Sequence, residues 1–312
     1  MKNEIFIALS TYAEYGKTPL MLLQESGVHY SLNHLGRRLI RQEIVEMGLN
    51  ATGIVAGVEP YDSEVLSHLP NLKCISRAGV GVDNIDLDYA NNRNIIIKNT
   101  PDVVIRPVAE LTLAMVFDLL RKITYHTTIL KERRWEKSAG SLLLGKNIGI
   151  IGTGRIGKAT AELLMKLGAK ILACDLAPDK KWARLHDITY VPFNKLISTS
   201  DIISLHLSSI KDDMPLLGEY EMNMMKHGVM IINTSRGEFI DEIALCNALE
   251  TGQVGSAGLD VFPEEPYDGK LLNFSNVVVT PHVATLTRES RLQMEVEATQ
   301  NLINVLTTNT RE

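Results

Sequence analysis

Cysteine is scarce in this chain: three residues, Cys74, Cys174 and Cys246, in a length of 312. They stand far apart and form no Cys-x-x-Cys pair. That argues against a disulfide framework and a thiolate zinc site, and it fits a reducing, cytoplasmic setting. Cys74 and Cys174 sit in apolar runs, where a thiol behaves as a small hydrophobe. Charge of one sign is not in excess either. A net charge of −5 from 32 basic and 37 acidic residues, mixed along the chain, leaves no basic stripe for nucleic acid. No apolar run approaches the roughly 18 residues of a membrane span. The opening MKNEIFIALSTYAEYG lacks a basic leader, a sustained apolar stretch and a small-residue cleavage site, so no signal peptide is expected. The 8 histidines are scattered, none paired at ligand spacing on a helix, and no metal site is expected.

What remains is ordinary globular composition, 45% hydrophobic and 22% charged, in a chain long for one hydrophobic core. Short apolar runs alternate with amphipathic stretches: IFIAL, GIVAGV, KCISRAG and NIIIKNT, with helical spacing over 36–47 and 65–69. A second series starts at NIGIIG and continues through KILACD, DIISLHL, VMIINTS, GSAGLDV and NVVVTP. Strands alternating with helices imply βαβ units and mostly parallel sheets, an α/β fold. Between the series runs a helical stretch from Val108 to Arg121 with a polar continuation to Trp135. The tail from Glu289 to Leu306 is helical again. Two successive βα series suggest a small-ligand cleft.

The strongest local signal is GIIGTGRIGKATAELLMKLGAKILACD, in which Gly152, Gly154 and Gly157 spell G-x-G-x-x-G. The pattern alone is weak, but here an apolar strand precedes it and a helix follows over 159–167. A second strand then ends at Asp175. Gly152 permits the tight turn, Gly154 lets backbone approach a pyrophosphate, and Gly157 allows close helix–strand packing. Arg155 and Ile156 open the helix whose N-terminus would face the phosphates. Asp175 is placed to accept hydrogen bonds from the adenosine ribose and to repel a 2′-phosphate, favouring NAD over NADP. Lys180 and Lys181, just beyond, could soften that preference.

Further on, three polar stretches each follow a strand. NTSRGEFIDE brings Thr234 and Arg236, GLDVFPEEP brings Asp260, Glu264 and Glu265, and TPHVAT brings His282. In a doubly wound sheet, residues just past the strand C-termini converge where ligands bind. Singly, each has a bland explanation, as a surface arginine, a solvated loop acid or a structural histidine. Together, behind a dinucleotide fingerprint, they suit acid–base chemistry on an anionic substrate.

These stretches, with SRAGVGVDNID and NTPDVVIRPVAELT before them, resemble the D-2-hydroxyacid dehydrogenase family. Within it they are most similar to the D-3-phosphoglycerate dehydrogenase branch. The resemblance covers 76–285 in family order, while the first 75 residues agree only in their strand–helix pattern. It implies two doubly wound parallel-sheet domains: a flavodoxin-like substrate domain of 1–99 and 288–312, and an inserted Rossmann NAD domain of 100–287. It also implies a homodimer involving the helix of 108–121 and the segment around Trp135. By the same resemblance His282 is the acid–base and Glu265 its partner, fixing the tautomer and favouring the charged ring. Arg236 would bind the carboxylate of a 2-oxo acid together with N–H groups of the Val80–Gly81 turn. Thr234 and Asp260 would stand by the cofactor, and Arg77 would reach a distal phosphate or carboxylate.

Departures from the family pattern leave the substrate open. Ser208-Ser209-Ile210 replaces the usual Pro-Leu-Thr, which is expected to alter cofactor contacts. Val283-Ala284-Thr285 after the histidine is expected to narrow the pocket. Ala56-Gly57 stands where phosphoglycerate enzymes often have an arginine. The chain stops soon after its last helix, so no regulatory domain is expected. The alternatives are a glyoxylate or hydroxypyruvate reductase and, from another class, an NAD-sensing binding protein without turnover. A panel of 2-oxo acids with NADH discriminates among them.

Overall fold

A computed structural model of the chain describes residues 3–208 and 214–308. The chain divides into two compact units, 1–104 with 285–312 and 105–284. The first boundary thus falls a few residues later, and the second a few earlier, than the sequence suggests.

Unit 1 is built on five parallel strands, β1 (Glu4–Ile7), β2 (His29–Leu32), β3 (Gly53–Ala56), β4 (Cys74–Arg77) and β5 (Ile96–Lys98). Their order is β2-β1-β3-β4-β5, the flavodoxin-type winding. All four β3 residues are buried, because helices cover both faces of the sheet and no alternation is required. Phe6, Ile54 and Ile75 pack with Leu66, Leu69 and Tyr61. The C-terminal helix Arg288–Thr308 packs back on β3 and β4. Gly53 makes room for it: a Cβ there would come 3.0 Å from Leu306. The strand β2 has no counterpart in the sequence reading. It is an edge strand with no buried residue, so no apolar run announces it.

Unit 2 holds seven parallel strands, β6 (Asn147–Ile151), β7 (Lys170–Cys174), β8 (Thr189–Tyr190), β9 (Ile202–Leu205), β10 (Val229–Asn233), β11 (Val254–Leu259) and β12 (Val277–Val279). The order β12-β11-β10-β9-β6-β7-β8 is the Rossmann winding, with its reversal between β6 and β9. Helix Ile105–Arg121 buries Met115, Val116 and Leu119 in the core that contains Ile148, Ile150 and Ile232. The helix then breaks. Lys122 takes a left-handed φ of 54°, and the Asp118 carboxylate accepts the Thr124 N–H at 2.8 Å to start a new helix, Ile123–Lys131. The continuous stretch read from the sequence is therefore two helices, the second ending before Trp135.

Candidate active site

The glycine fingerprint leaves β6 and enters the helix Arg155–Lys166. Gly152 has φ 89°, and a Cβ on it would stand 2.3 Å from the His206 carbonyl oxygen. A Cβ on Gly157 would stand 2.0 Å from the Gly152 oxygen. Both glycines are thus required by the chain's own packing. Gly154 differs, since a Cβ there would meet nothing within 4 Å. Its side opens on free space at the start of helix Arg155–Lys166. This is the cradle a pyrophosphate needs, and the residues present fit the dinucleotide.

Asp175 follows β7 directly. Its Oδ2 accepts Thr153 N–H at 2.5 Å and the Thr153 hydroxyl at 2.9 Å, and Oδ1 accepts Ala177 N–H at 2.8 Å. Partial burial acts to raise this carboxyl, but these hydrogen bonds outweigh it and hold it below the usual carboxylate range. It is a fixed negative charge beside the fingerprint.

On the other side of the sheet's midpoint, β10, β11 and β12 pair Asn233 with Leu259 and Leu259 with Val279. The residues that follow therefore leave the sheet side by side. Asn233 shapes the first loop: its Oδ1 accepts Ser235 N–H at 3.0 Å and its Nδ2 donates to Arg236 O at 2.7 Å. Arg236 is partly exposed and its Nη1 donates to Ser235 O at 2.8 Å. Gly237 lets this loop lie against the next one, since a Cβ there would be 2.0 Å from the Phe262 carbonyl carbon. Phe262 N–H in turn donates to Glu265 Oε1 at 3.1 Å, and Glu265 Oε2 meets His282 Nδ1 at 2.9 Å. With Nδ1 so engaged, the ring's Nε2 is left for other chemistry. His282 itself has φ 53°, a left-handed conformation uncommon outside glycine and frequent at functional sites.

Asp260 holds that conformation. It is 0% exposed, and its carboxylate accepts the Thr280 hydroxyl at 2.5 Å and the N–H groups of Val283 and Ala284 at 2.8 Å each. Its backbone oxygen accepts His282 N–H at 2.9 Å. Burial raises the Asp260 carboxyl, and the three donors pull the other way. The sequence reading set Asp260 beside the cofactor, but its hydrogen bonds here run to the histidine loop. Thr234 likewise turns inward, its hydroxyl 2.9 Å from that of Thr112. Val283 and Ala284, expected to narrow a pocket, serve through their backbone as the loop's anchors. Ser208 ends the described segment, and Ser209 and Ile210 lie outside the described residues.

In unit 1, Arg77 ends β4 and folds back over the following turn. Its Nη1 donates to Ala78 O at 2.6 Å and lies 1.2 Å from where a Gly79 Cβ would be. The close approach at Gly79 is thus made by the chain's own guanidinium. The turn is pinned by Thr100, whose hydroxyl accepts Gly79 N–H at 2.8 Å, and by Asn99, which donates to Val80 O at 2.9 Å. The N–H groups of Val80 and Gly81 take no acceptor among the described residues.

Two residues the sequence reading passed over belong to the cofactor side. Tyr190, on the two-residue strand β8, sets its hydroxyl 2.7 Å from the Thr153 hydroxyl, beside Asp175. Nothing local signals it. His206, just past β9 at the winding reversal, meets Ser204 Oγ through Nε2 at 2.9 Å. Enclosure pushes its imidazole down to about 4, which keeps it neutral. A histidine in DIISLHL, at the strand facing the fingerprint, was a usable signal. Among the described residues, no group of three or more His, Cys, Asp and Glu could hold a metal ion, and no helix is long and apolar enough to cross a membrane.

Residues 113–284 match the family model for the D-isomer specific 2-hydroxyacid dehydrogenase, NAD binding domain. The chain belongs to this family, NAD-dependent oxidoreductases acting on the CH–OH group of 2-hydroxy acids. It is 38% identical over 256 residues to a D-3-phosphoglycerate dehydrogenase of Archaeoglobus fulgidus, covering 81% of this chain and 49% of that protein. This chain thus spans about half the length of that relative. It is 35% identical over 292 residues to a hydroxypyruvate reductase of Thermotoga maritima, covering 92% and 94% of the two chains. A glyoxylate reductase structure from Paecilomyes thermophila superposes with a TM-score of 0.85 at 29% identity, covering 96% of this chain and 94% of that one.

Proposed function

We propose that this chain interconverts a short 2-oxo acid and its D-2-hydroxy acid, with His282 as the acid–base. The observation that carries the reading is the 2.9 Å contact of Glu265 with His282 Nδ1 on a loop that Asp260 ties to β11. Bound NADH supplies the hydride. His282 gives a proton to the carbonyl oxygen in reduction and takes it back in oxidation. Glu265 selects the tautomer and favours the charged ring. Arg236 holds the substrate carboxylate and stabilises the charge that builds on the reacting oxygen. Gly152, Gly154, Arg155, Ile156, Gly157 and Asp175 hold the dinucleotide, with Thr234 and Asp260 setting the loops around it. The family resemblance also assigns Arg77, Val80 and Gly81 to binding of the substrate acid. Phosphohydroxypyruvate, hydroxypyruvate and glyoxylate are the substrates that the relatives' names suggest. Incubation with NADH and a panel of 2-oxo acids, followed at the NADH absorbance, tests the reading. Silence across the panel would reduce the protein to an NAD-binding module.

The finer proposal on assembly is a homodimer through the segment that follows helix Ile105–Arg121. That helix buries an apolar face within its own unit, whereas Ile123, Leu130, Trp135, Leu142 and Leu144 are exposed, Trp135 at 81%. Exposed apolar residues along one stretch of chain suit an association surface. Sedimentation of the wild type against Trp135→Asp tests this. Three free thiols support a cytoplasmic setting.

A further inference from the structure

The loop that leaves β7, Asp175-Leu176-Ala177-Pro178-Asp179, begins with the acid beside the fingerprint. Its far end is tied back to that acid through the edge strand. Tyr190 of β8 is half-buried and in register with Ala173 of β7. Its hydroxyl stands 2.7 Å from the Thr153 hydroxyl and 3.2 Å from the Asp179 nitrogen.

The protons along this path have one consistent arrangement. Asp175, held below the usual carboxylate range, is ionised at neutral pH and only accepts. The Thr153 hydroxyl therefore gives its single proton to Asp175 Oδ2, 2.9 Å away. Thr153 Oγ is then the acceptor toward Tyr190, and the phenol donates to it. The phenol oxygen in turn accepts the Asp179 N–H. Three donors in series, Asp179 N–H, Tyr190 O–H and Thr153 O–H, thus all point toward one carboxylate oxygen. Hydrogen bonds aligned in this way polarise one another.

Both ends of the series are fixed. Asp179 Oδ2 accepts Lys158 Nζ at 2.6 Å, and its Oδ1 takes the N–H groups of Lys181 and Trp182 at 3.1 and 3.0 Å, capping helix Lys180–Leu185. At the other end Asp175 Oδ2 also accepts Thr153 N–H at 2.5 Å, while Oδ1 accepts Ala177 N–H at 2.8 Å. The carboxylate cannot turn without breaking these contacts. Thr153 is 5% exposed, so water is poorly placed to replace the phenol as its donor.

We infer that Tyr190 is a positioning residue for the cofactor: acting through Thr153, it holds the Asp175 carboxylate in the orientation that accepts the adenosine ribose hydroxyls, and so sustains a preference for NADH over NADPH. This rests on the reading of Asp175 as the ribose acid. NADH uses the carboxylate as an acceptor and is sensitive to its orientation. NADPH presents a 2′-phosphate instead, gains nothing from that acceptor, and is insensitive to it.

The test measures Kd for NADH and for NADPH, by nicotinamide fluorescence, in wild type, Tyr190→Phe, Thr153→Val, Thr153→Ser, Tyr190→Phe/Thr153→Val and Asp175→Ser. One hydrogen bond of ordinary net strength is worth roughly two- to tenfold in an equilibrium constant. Tyr190→Phe should weaken NADH by about that factor and leave NADPH within about twofold, lowering the selectivity ratio. Thr153→Val should lower the ratio at least as far, whereas Thr153→Ser, which keeps the hydroxyl, should preserve it. The double variant should match Thr153→Val within about twofold, because the phenol then has nothing to act through. A ratio unchanged in Tyr190→Phe, or NADH and NADPH weakened equally, overturns the inference, since a merely structural role moves both cofactors together. Full additivity in the double variant overturns the route through Thr153. If Tyr190→Phe fails to fold, an unchanged ratio in Thr153→Val overturns the inference in its place. Asp175→Ser separates the two levels: a lowered ratio there beside an unchanged one in Tyr190→Phe removes this inference alone. An unchanged ratio in Asp175→Ser removes the ribose reading with it.

Discussion

Replacing Asp260 by alanine removes the acceptor of three hydrogen bonds from the loop that carries His282. The Thr280 hydroxyl can rotate to another partner, but the N–H groups of Val283 and Ala284 cannot. Each donor left buried without an acceptor costs about 1–3 kcal/mol. Part of that is offset, because burial already raises the Asp260 carboxyl and its removal relieves a desolvated charge. The net loss works out at about 2–4 kcal/mol, or roughly 5–15 °C in melting temperature for a unit of this size. Function should suffer more than stability. His282 holds a left-handed backbone that the same contacts enforce, and a displacement of about 1 Å in a reacting group can cost about a hundredfold in rate. Thermal melting by circular dichroism and kcat with NADH and the best substrate of the panel measure both effects. An Asp260→Ala protein that melts within about 2 °C of wild type and retains its kcat would refute the anchoring role.

Gly154→Ala should leave the melting of the free protein within about 1 kcal/mol, as its Cβ meets nothing, yet weaken NADH binding at least about tenfold by filling the phosphate cradle. Gly157→Ala should damage both, and a fluorescence titration beside a melt separates the two cases. Asp175→Ser should weaken NADH binding and narrow its advantage over NADPH, read from paired Kd values. The depressed His206 value gives a stability increment fully present above the unfolded value of about 6.5 and lost as pH falls through about 4. Wild type should therefore lose about 2–3 kcal/mol over that window relative to His206→Asn, measured by urea unfolding at each pH. Asp260 has the opposite sign: its raised carboxyl favours the fold below the unfolded value of about 4 and loses that contribution as pH rises through the folded one. The melting gap between wild type and Asp260→Asn should accordingly shrink from acid toward neutral pH.

Much of this fold was legible because its central strands are buried on both faces. Runs such as IFIAL, NIGII and VMIIN then stand out from the amphipathic helices around them. The edge strands β2 and β8 lack that signal: one has no buried residue and the other only two residues. The helix break at Lys122 was equally silent, because it depends on the Asp118 carboxylate reaching a later N–H rather than on glycine or proline. At the site, residue type and strand-end position singled out Arg236, Glu265 and His282, and the geometry joins Glu265 to His282. Partnerships made in three dimensions were not readable. Asp260 reads as one more loop acid until Val283 and Ala284 fold onto it, and Glu59 reads as a solvated turn acid until its burial is seen.

The central claim is that His282 moves the proton while other residues hold the dinucleotide. Its most direct test is His282→Gln, assayed for turnover with NADH and a 2-oxo acid and, separately, for NADH affinity. The account predicts a fall in kcat of about 10²–10⁴-fold with the NADH Kd within about threefold of wild type. Turnover that survives the substitution, with NADH still bound, would contradict it.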